Sequence, residues 1–204
     1  MIFNFEKLKK EILTNITGVI HVGGHHGQEY VEYKKLDLPI LFFEPLPSNY
    51  NVLKSKIKDD PNTISYQCAL GNENKKVRMN VETANQGQSS SILKPKKHLE
   101  QYPHIQFNST EEVDMFRLDD LDLDLTKYNF MNIDVQGYEL EVFKGAFETL
   151  KNIDYIISEV NQDEVYEGCP HISELDEYLS QFGFKRIKTE WAGVIWGDAL
   201  YIKE

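Results

Sequence analysis

The sequence predicts an α/β domain with a mostly parallel sheet and helices on both of its faces. Three observations lead there. The runs at residues 19–23 (VIHVG), 40–44 (ILFFE) and 130–135 (FMNIDV) are nearly continuous in apolar residues, as strands buried on both faces are. Segments with apolar residues at helical spacing separate them. A strand–helix–strand–helix series builds a parallel sheet with right-handed crossovers.

Taken in order, Phe5, Leu8 and Ile12 place a helix over residues 3–14. Residues 19–23 form the first strand, ended by glycine, and residues 28–36 (QEYVEYKKL) a helix that Pro39 helps to end. After the strand at 40–44, Ser48 is placed to cap a helix whose Val52, Leu53 and Ile57 face inward. Residues 64–70 (ISYQCAL) read as a third strand, and residues 76–83 alternate like a half-exposed one. Residues 84–112 are polar and without clean periodicity, and a loop of that length in a compact domain is usually functional or mobile. Residues 113–121 run from strand to turn, followed by the strand at 130–135. Leu140, Phe143, Phe147 and Leu150 then lie on one helix face. A strand at 155–160, a helix carrying Ile172, Leu175, Leu179 and Phe182 and closed by Gly183, and two final strands complete the chain.

Composition narrows the function. The 204 residues suffice for a single domain spanning 1–204, with 41% hydrophobic and 27% charged residues. A formal net charge of −11 argues against nucleic-acid backbone as a partner. No apolar run reaches the roughly 18 residues that cross a bilayer, and the first residues, MIFNFEKLKKEIL, mix charges among apolar positions unlike a signal peptide. Cys68 and Cys169 match no metal or disulfide spacing, so a reducing cytoplasm is the expected compartment. Nothing in the sequence sets an oligomeric state.

The stretch VIHVGGHHGQ places Gly23, Gly24 and Gly27 between a buried strand and a helix, where backbone N–H groups are available and the helix dipole is positive. The dinucleotide fingerprint G-x-G-x-x-G would need a glycine at Val22, and only Gly24 and Gly27 fit it. Glu44 ends the next strand about 20 residues on, where an acid reaches ribose hydroxyls in nucleoside-binding sheets. A tight turn beside an exposed acid is the plainer alternative.

The ordered set VIHVGGHHGQ, FFEPLPSNYNVL, CALGN, RLDDL and FMNIDVQGYELEVFKGA resembles the FkbM-type family of S-adenosylmethionine-dependent methyltransferases, from about residue 17 to about residue 160. The resemblance implies a Rossmann-like seven-stranded methyltransferase sheet with an antiparallel last strand. It also implies S-adenosylmethionine as cofactor and a small-molecule or glycan hydroxyl as acceptor. Gly23 and Gly27 match the family's cofactor loop, Glu44 its ribose-binding acid, and Ala69 a position bordering the adenine. Asp134 matches the acid beside the transfer site, and Glu139 the acid five residues on. His21 stands where an acid is usual and His25 where asparagine is usual.

A sugar hydroxyl needs a base as it loses its proton. Asp134 is the first choice, with Glu139, Glu159 and a loop histidine as alternatives; each also has a structural role open to it, as a turn brace, a helix-start acid or a lysine partner. Asp134, Glu159 and Asn161 could converge on a divalent cation, but no spacing signature supports a metal, and the histidines are too dispersed for zinc. For the acceptor, residues 84–112 offer Ser89 and Ser90 as hydroxyls. Lys94, Lys96, Lys97 and His98 there form a basic patch suited to a phosphate or nucleotide-linked sugar, or belong to a solvated loop folding over the cofactor. Tyr138, Trp191 and Trp196 are candidates to stack on a sugar or simply to pack. A cofactor-binding module without catalysis and a nicotinamide-dependent reductase are the competing functions.

Overall fold

Strands β1 (Val19–Val22), β2 (Ile40–Phe43), β7 (Phe130–Ile133) and β8 (Tyr155–Asn161) are buried at every position. With helices on both sides and no solvent-facing surface, such strands have no reason to alternate. The computed structural model describes all 204 residues. Helix α1 (Phe5–Glu11) is capped by Asn4 and precedes β1, and α2 (Tyr30–Lys34) leads into β2. Helix α3 (Pro47–Ile57) leads into β3 (Thr63–Tyr66). A smaller sheet follows, formed by β4 (Ala69–Leu70), β5 (Lys75–Val81) and, after α4 (Lys97–Gln101), β6 (Ser109–Phe116). The chain then returns to the main sheet through β7, α5 (Glu139–Gly145), β8, α6 (Ile172–Ser180), β9 (Phe184–Ala192) and β10 (Trp196–Lys203).

The main sheet has seven strands in the order β3-β2-β1-β7-β8-β10-β9. Only β10 runs against its neighbours, pairing antiparallel with both β8 and β9. Strand order reverses between β1 and β7, which pair in parallel, so a crevice opens at their carboxyl ends. Alternate residues of the central strands divide between two cores. Ile20, Val22, Met131 and Ile133 pack with Val142 and Phe143 of α5 and Leu175 and Leu179 of α6. Val19, Phe42 and Phe130 pack with Phe5, Tyr33 and Leu53 from α1, α2 and α3.

Several elements depart from the sequence expectation. The stretch expected as one strand over 64–70 divides between two sheets: Thr63–Tyr66 pairs with β2, and Ala69–Leu70 with β6. Pro47, not Ser48, opens α3, with Leu46 at the cap position, because proline fits the first helical turn without losing a needed donor. Leu53 and Ile57 face inward, but Val52 is 44% exposed. The helix expected over 3–14 is confined to Phe5–Glu11. The helix after Gly137 stops at Gly145; Leu150 sits in a short 3-10 turn held by Asp119, which accepts from Glu148 N and Thr149 N at 2.8 and 2.9 Å. Residues 84–112 are not an uninterrupted loop, since they contain α4 and the first half of β6. No helix of the structure is long and apolar enough to cross a membrane.

Candidate active site

A cavity of about 670 Å³ opens at the carboxyl edge of the sheet. His21, Gly23, His25, Glu44, Ala69, Ser89, Ser90, Asp134, Tyr138 and Glu159 all line it. Other residues singled out in the sequence do not, Gly24, Gly27, Lys94 and Glu139 among them. Gly24 is turned toward Phe42 and Leu53, and Gly27 toward Leu53, so these two glycines serve helix–sheet packing. Lys94 contributes its backbone carbonyl, which accepts from Glu167 N at 2.8 Å. Glu139 is fully buried behind the turn, where its Oε1 accepts from Val135 N and Gly137 N at 3.2 and 3.0 Å. Burial pushes its carboxyl up to about 7. It braces the segment that carries Asp134 instead of facing a ligand.

The glycine turn is built for close approach, not for an anion. Gly23 has φ +84°, and a Cβ there would lie 1.8 Å from the Asp134 carbonyl oxygen. Its amide and that of Gly24 donate to Phe43 O at 3.0 and 2.8 Å, and the Gly27 amide to Gly24 O at 2.7 Å. The His25 amide donates to Glu44 Oε2 at 2.8 Å. The expectation of available turn amides therefore fails at these four positions. A pyrophosphate would find few donors there and several carboxylates nearby, which removes the main support for a nicotinamide dinucleotide.

Glu44 marks one end of the cavity. It is 4% exposed, and its Oε1 accepts from Leu46 N at 2.9 Å while Oε2 accepts from His25 N. Desolvation raises its pKa, opposed by those backbone hydrogen bonds. A carboxylate has about four lone-pair positions; the two backbone amides and the nearby Asn49 side chain engage part of them, and the remainder faces the cavity.

Acidic groups gather at the other end. Gln136, held at φ +55°, donates through Nε2 to Asp134 Oδ1 and to Glu159 Oε2, both at 2.7 Å. Burial and the nearby Asp134 hold Glu159 well above the usual carboxylate range. Glu29 and Asp198 line the same end, and burial raises Asp198 to about 6. The α-amino group of Met1 lies 3.1 Å from Glu29 Oε1. Burial would lower its pKa, but Asp134, Glu29 and Asp198 together raise it to about 10. This end of the cavity stabilises positive charge. His21, in place of the usual acid, is buried beside Asn132 and Tyr33, and burial lowers its pKa. It cannot supply the negative charge that Glu29 and Asp198 bring from other elements.

The segment after β5 folds over the opening. Glu82 is buried and accepts from the amides of Asn85 and Gly87. His25 Nε2 lies 2.8 Å from Gln86 O, joining this segment to the glycine turn. Ser90 Oγ accepts from Glu82 N at 3.0 Å, and the Tyr166 hydroxyl lies 3.0 Å from Ser89 O and 2.7 Å from Gln136 Oε1. Two lysines of the basic patch are already neutralised within the protein: Lys96 pairs with Glu164 and Lys97 with Asp163. Asn161, considered earlier with Asp134 and Glu159, is not among the cavity-lining residues.

Sequence reasoning missed Glu29, Gln136, Tyr166 and Asp198. Asp198 stood just before the ALYIKE stretch expected as the last strand, where nothing marked it as part of a site. Gln136 and Tyr166 left no signal.

The sheet order with its single reversed strand, and a crevice that suits an adenosyl group bearing a cationic side chain, define the class of S-adenosylmethionine-dependent methyltransferases. An Aquifex aeolicus SAM-dependent methyltransferase has this fold over 98% of the present chain and 90% of its own, with TM-score 0.52 and 13% identity. A Burkholderia thailandensis 1,6-didemethyltoxoflavin-N1-methyltransferase, solved with S-adenosylhomocysteine, is similar over 97% and 75% (TM-score 0.51, 12% identity). The family model described as the methyltransferase FkbM domain matches residues 21–186. The chain belongs to the FkbM methyltransferase family. It is also 38% identical over 96 residues to the 2-O-methyltransferase NoeI of Sinorhizobium fredii, an overlap covering 46% of this chain and 40% of that one.

Proposed function

We propose that the protein transfers a methyl group from S-adenosylmethionine to a hydroxyl of a carbohydrate or similar small polyhydroxylated acceptor. One observation carries the reading: a single cavity has a buried carboxylate at Glu44 and a cation-stabilising acidic end at Asp134, Glu29 and Asp198. A diol at one end and positive charge at the other describe the ribose and the sulfonium–ammonium portion of this donor. When bound, the donor supplies an electrophilic methyl with a neutral leaving group.

The protein's residues then hold and orient. Glu44 accepts the ribose hydroxyls, and Ala69 with Leu46 forms the apolar wall for the base. Asp134 stands at the donor–acceptor boundary, held in place by Gln136. Positioning supplies most of the rate in such a displacement. On the acceptor side, Ser89, Ser90, Gln88 and Asn85 present polar groups, with Tyr102 and Trp196 forming an aromatic wall. The relative that bears the name 2-O-methyltransferase supports oxygen as the methylated atom.

The test is calorimetry with S-adenosylhomocysteine, followed by methyl transfer from labelled S-adenosylmethionine to methyl glycosides of the common pentoses and hexoses. Saturable binding and methyl incorporation into one or more glycosides are expected. Binding without incorporation into any glycoside overturns the carbohydrate assignment, and absence of binding overturns the site.

A further inference from the structure

We propose that His98 takes the proton of the acceptor hydroxyl as the methyl group arrives, an inference that rests on the methyltransferase reading of the cavity. His98 is the second residue of α4, is 5% exposed, and lines the cavity along with Asp134, Tyr138 and Trp196.

No hydrogen bond from the protein reaches its ring nitrogens. Around the imidazole stand the rings of Tyr102, Phe107 and Tyr166, at centroid distances of 5.2, 5.6 and 5.5 Å. A neutral imidazole carries one N–H and one lone pair, and folded proteins leave few such groups buried and unpaired. The neighbouring polar groups of the cavity are matched. His25 is bonded to Gln86 and Gln28, Asp134 and Glu159 to Gln136, and the Trp196 indole to Tyr102. His98 Nδ1 is one of several buried side-chain atoms without a partner, with Gln101 Oε1, Glu139 Oε2 and both amide atoms of Asn161, and it is closed off from solvent. Nε2 makes no bond within the protein and is the nitrogen left for a hydroxyl in the cavity that His98 lines.

The carboxylates are poorer bases here. Asp134 Oδ1 and Glu159 Oε2 share the two amide protons of Gln136, and burial beside Asp134 holds the Glu159 carboxyl well above the usual carboxylate range. A cation bound at that end lowers the basicity of any carboxylate it touches. His98 is enclosed by the aromatic rings of Tyr102, Phe107 and Tyr166. Burial lowers its pKa, Glu82 opposes the shift, and His104 adds to it. The imidazole is therefore neutral near pH 7.

Its position is rigid. The His98 and Lys96 amides donate to Val165 O at 3.1 and 3.0 Å, and the two lysine ion pairs staple α4 to the segment that follows β8. In the step itself the hydroxyl O–H breaks and its proton goes to Nε2. The oxygen electron pair forms the new O–CH3 bond, and the S–CH3 pair stays on sulfur. A methyl ether, S-adenosylhomocysteine and an imidazolium result, and the imidazolium returns its proton to water.

The experiment combines His98→Asn and His98→Gln with a glycoside the wild type methylates. Both variants are expected to bind S-adenosylhomocysteine within twofold of wild type while kcat falls about a hundredfold or more. The acidic limb of the wild-type kcat/KM profile should vanish in both, and added imidazole should restore part of the rate to His98→Ala. Variants that keep kcat within threefold and retain the limb overturn the proposal while leaving the methyltransferase reading intact; loss of S-adenosylhomocysteine binding by the wild type overturns that reading instead. Should the wild type methylate no glycoside, nitrogen-15 NMR of its histidines decides. A His98 that titrates below 6.5 with no hydrogen-bond signature supports the proposal, and one at or above 6.5, or bonded within the protein, overturns it.

Discussion

Glu44→Gln changes one atom's worth of chemistry at the position that most defines the cavity. In the wild type, Oε1 accepts from Leu46 N at 2.9 Å and Oε2 from His25 N at 2.8 Å, and the carboxylate's remaining acceptor capacity faces the cavity, where the proposed reading puts the ribose. The amide keeps one oxygen and replaces the other with NH2. One backbone donor then faces another donor, and one ribose hydroxyl loses its acceptor. A hydrogen bond to a charged group is worth about 1.5–3 kcal/mol, so the dissociation constant for S-adenosylhomocysteine should rise roughly 10- to 150-fold. Glu44→Ala should lose as much or more. Isothermal titration calorimetry at pH 7.5 measures the effect, with a thermal melt to confirm folding. Protonation removes the same acceptor. Because burial raises the pKa of Glu44, wild-type affinity should weaken as pH falls through that raised value, and the variant should lack this dependence. A Glu44→Gln protein that melts normally and binds S-adenosylhomocysteine within twofold of wild type would refute the assignment of Glu44 to the ribose.

Three further outcomes follow from the packing and the titrations. Glu139 is raised from 4.5 to about 7 in the folded protein, so its contribution to stability is complete below about 4.5 and is lost as pH rises to about 7. Glu139→Gln keeps the Oε1 acceptor; its melting temperature relative to wild type should climb by several degrees across that window, and a constant difference would sink the assignment. Gly145→Ala should gain about 1 kcal/mol of helix propensity yet lose more, because the new Cβ would lie 1.8 Å from the Gly71 carbonyl oxygen. Denaturant unfolding should show a net loss of about 2 kcal/mol. Tyr166→Phe keeps the ring against His98 but removes the hydroxyl between Ser89 and Gln136. A loss of about 0.5–1.5 kcal/mol should speed limited proteolysis within residues 84–91 roughly two- to twelvefold.

What could be read in the sequence is what local patterning encodes. Strands β1, β2, β7 and β8 stood out because burial on both faces demands unbroken apolar runs, and α6 because its inward residues recur at helical spacing. The change of sheet between Tyr66 and Ala69 was hidden, since hydrophobicity does not say which strand a segment will pair with. Charge alone misled at residues 94–97: the lysines were visible, but the acids that neutralise Lys96 and Lys97 lie 68 and 66 positions away. Glu139 was correctly placed in the first turn of α5, yet only the structure shows that its oxygen turns back to the Val135 and Gly137 amides, away from the cavity. Gln136, Tyr166 and His98 take their significance from long-range contacts, or in one case from the lack of them, which no local pattern records.

The acidic end of the cavity carries an energetic consequence. On the proposed reading, Asp134, Glu29 and Asp198 attract the donor's sulfonium and ammonium charges, and that attraction to the sulfonium weakens as the methyl departs. Interactions stronger in the ground state than in the transition state slow the chemical step, so these carboxylates are poor rate accelerators. They do favour the cationic donor over the neutral-sulfur product, since removal of one positive charge leaves buried carboxylates less well compensated. Burial already raises Asp198 to about 6 and Glu159 well above the ordinary range, which shows how little excess negative charge the site tolerates. The fold thus divides its labour. On the same reading, the sheet edge selects and releases the charged cosubstrate, while the acceptor's proton goes to an uncharged imidazole instead of to carboxylates engaged with that charge.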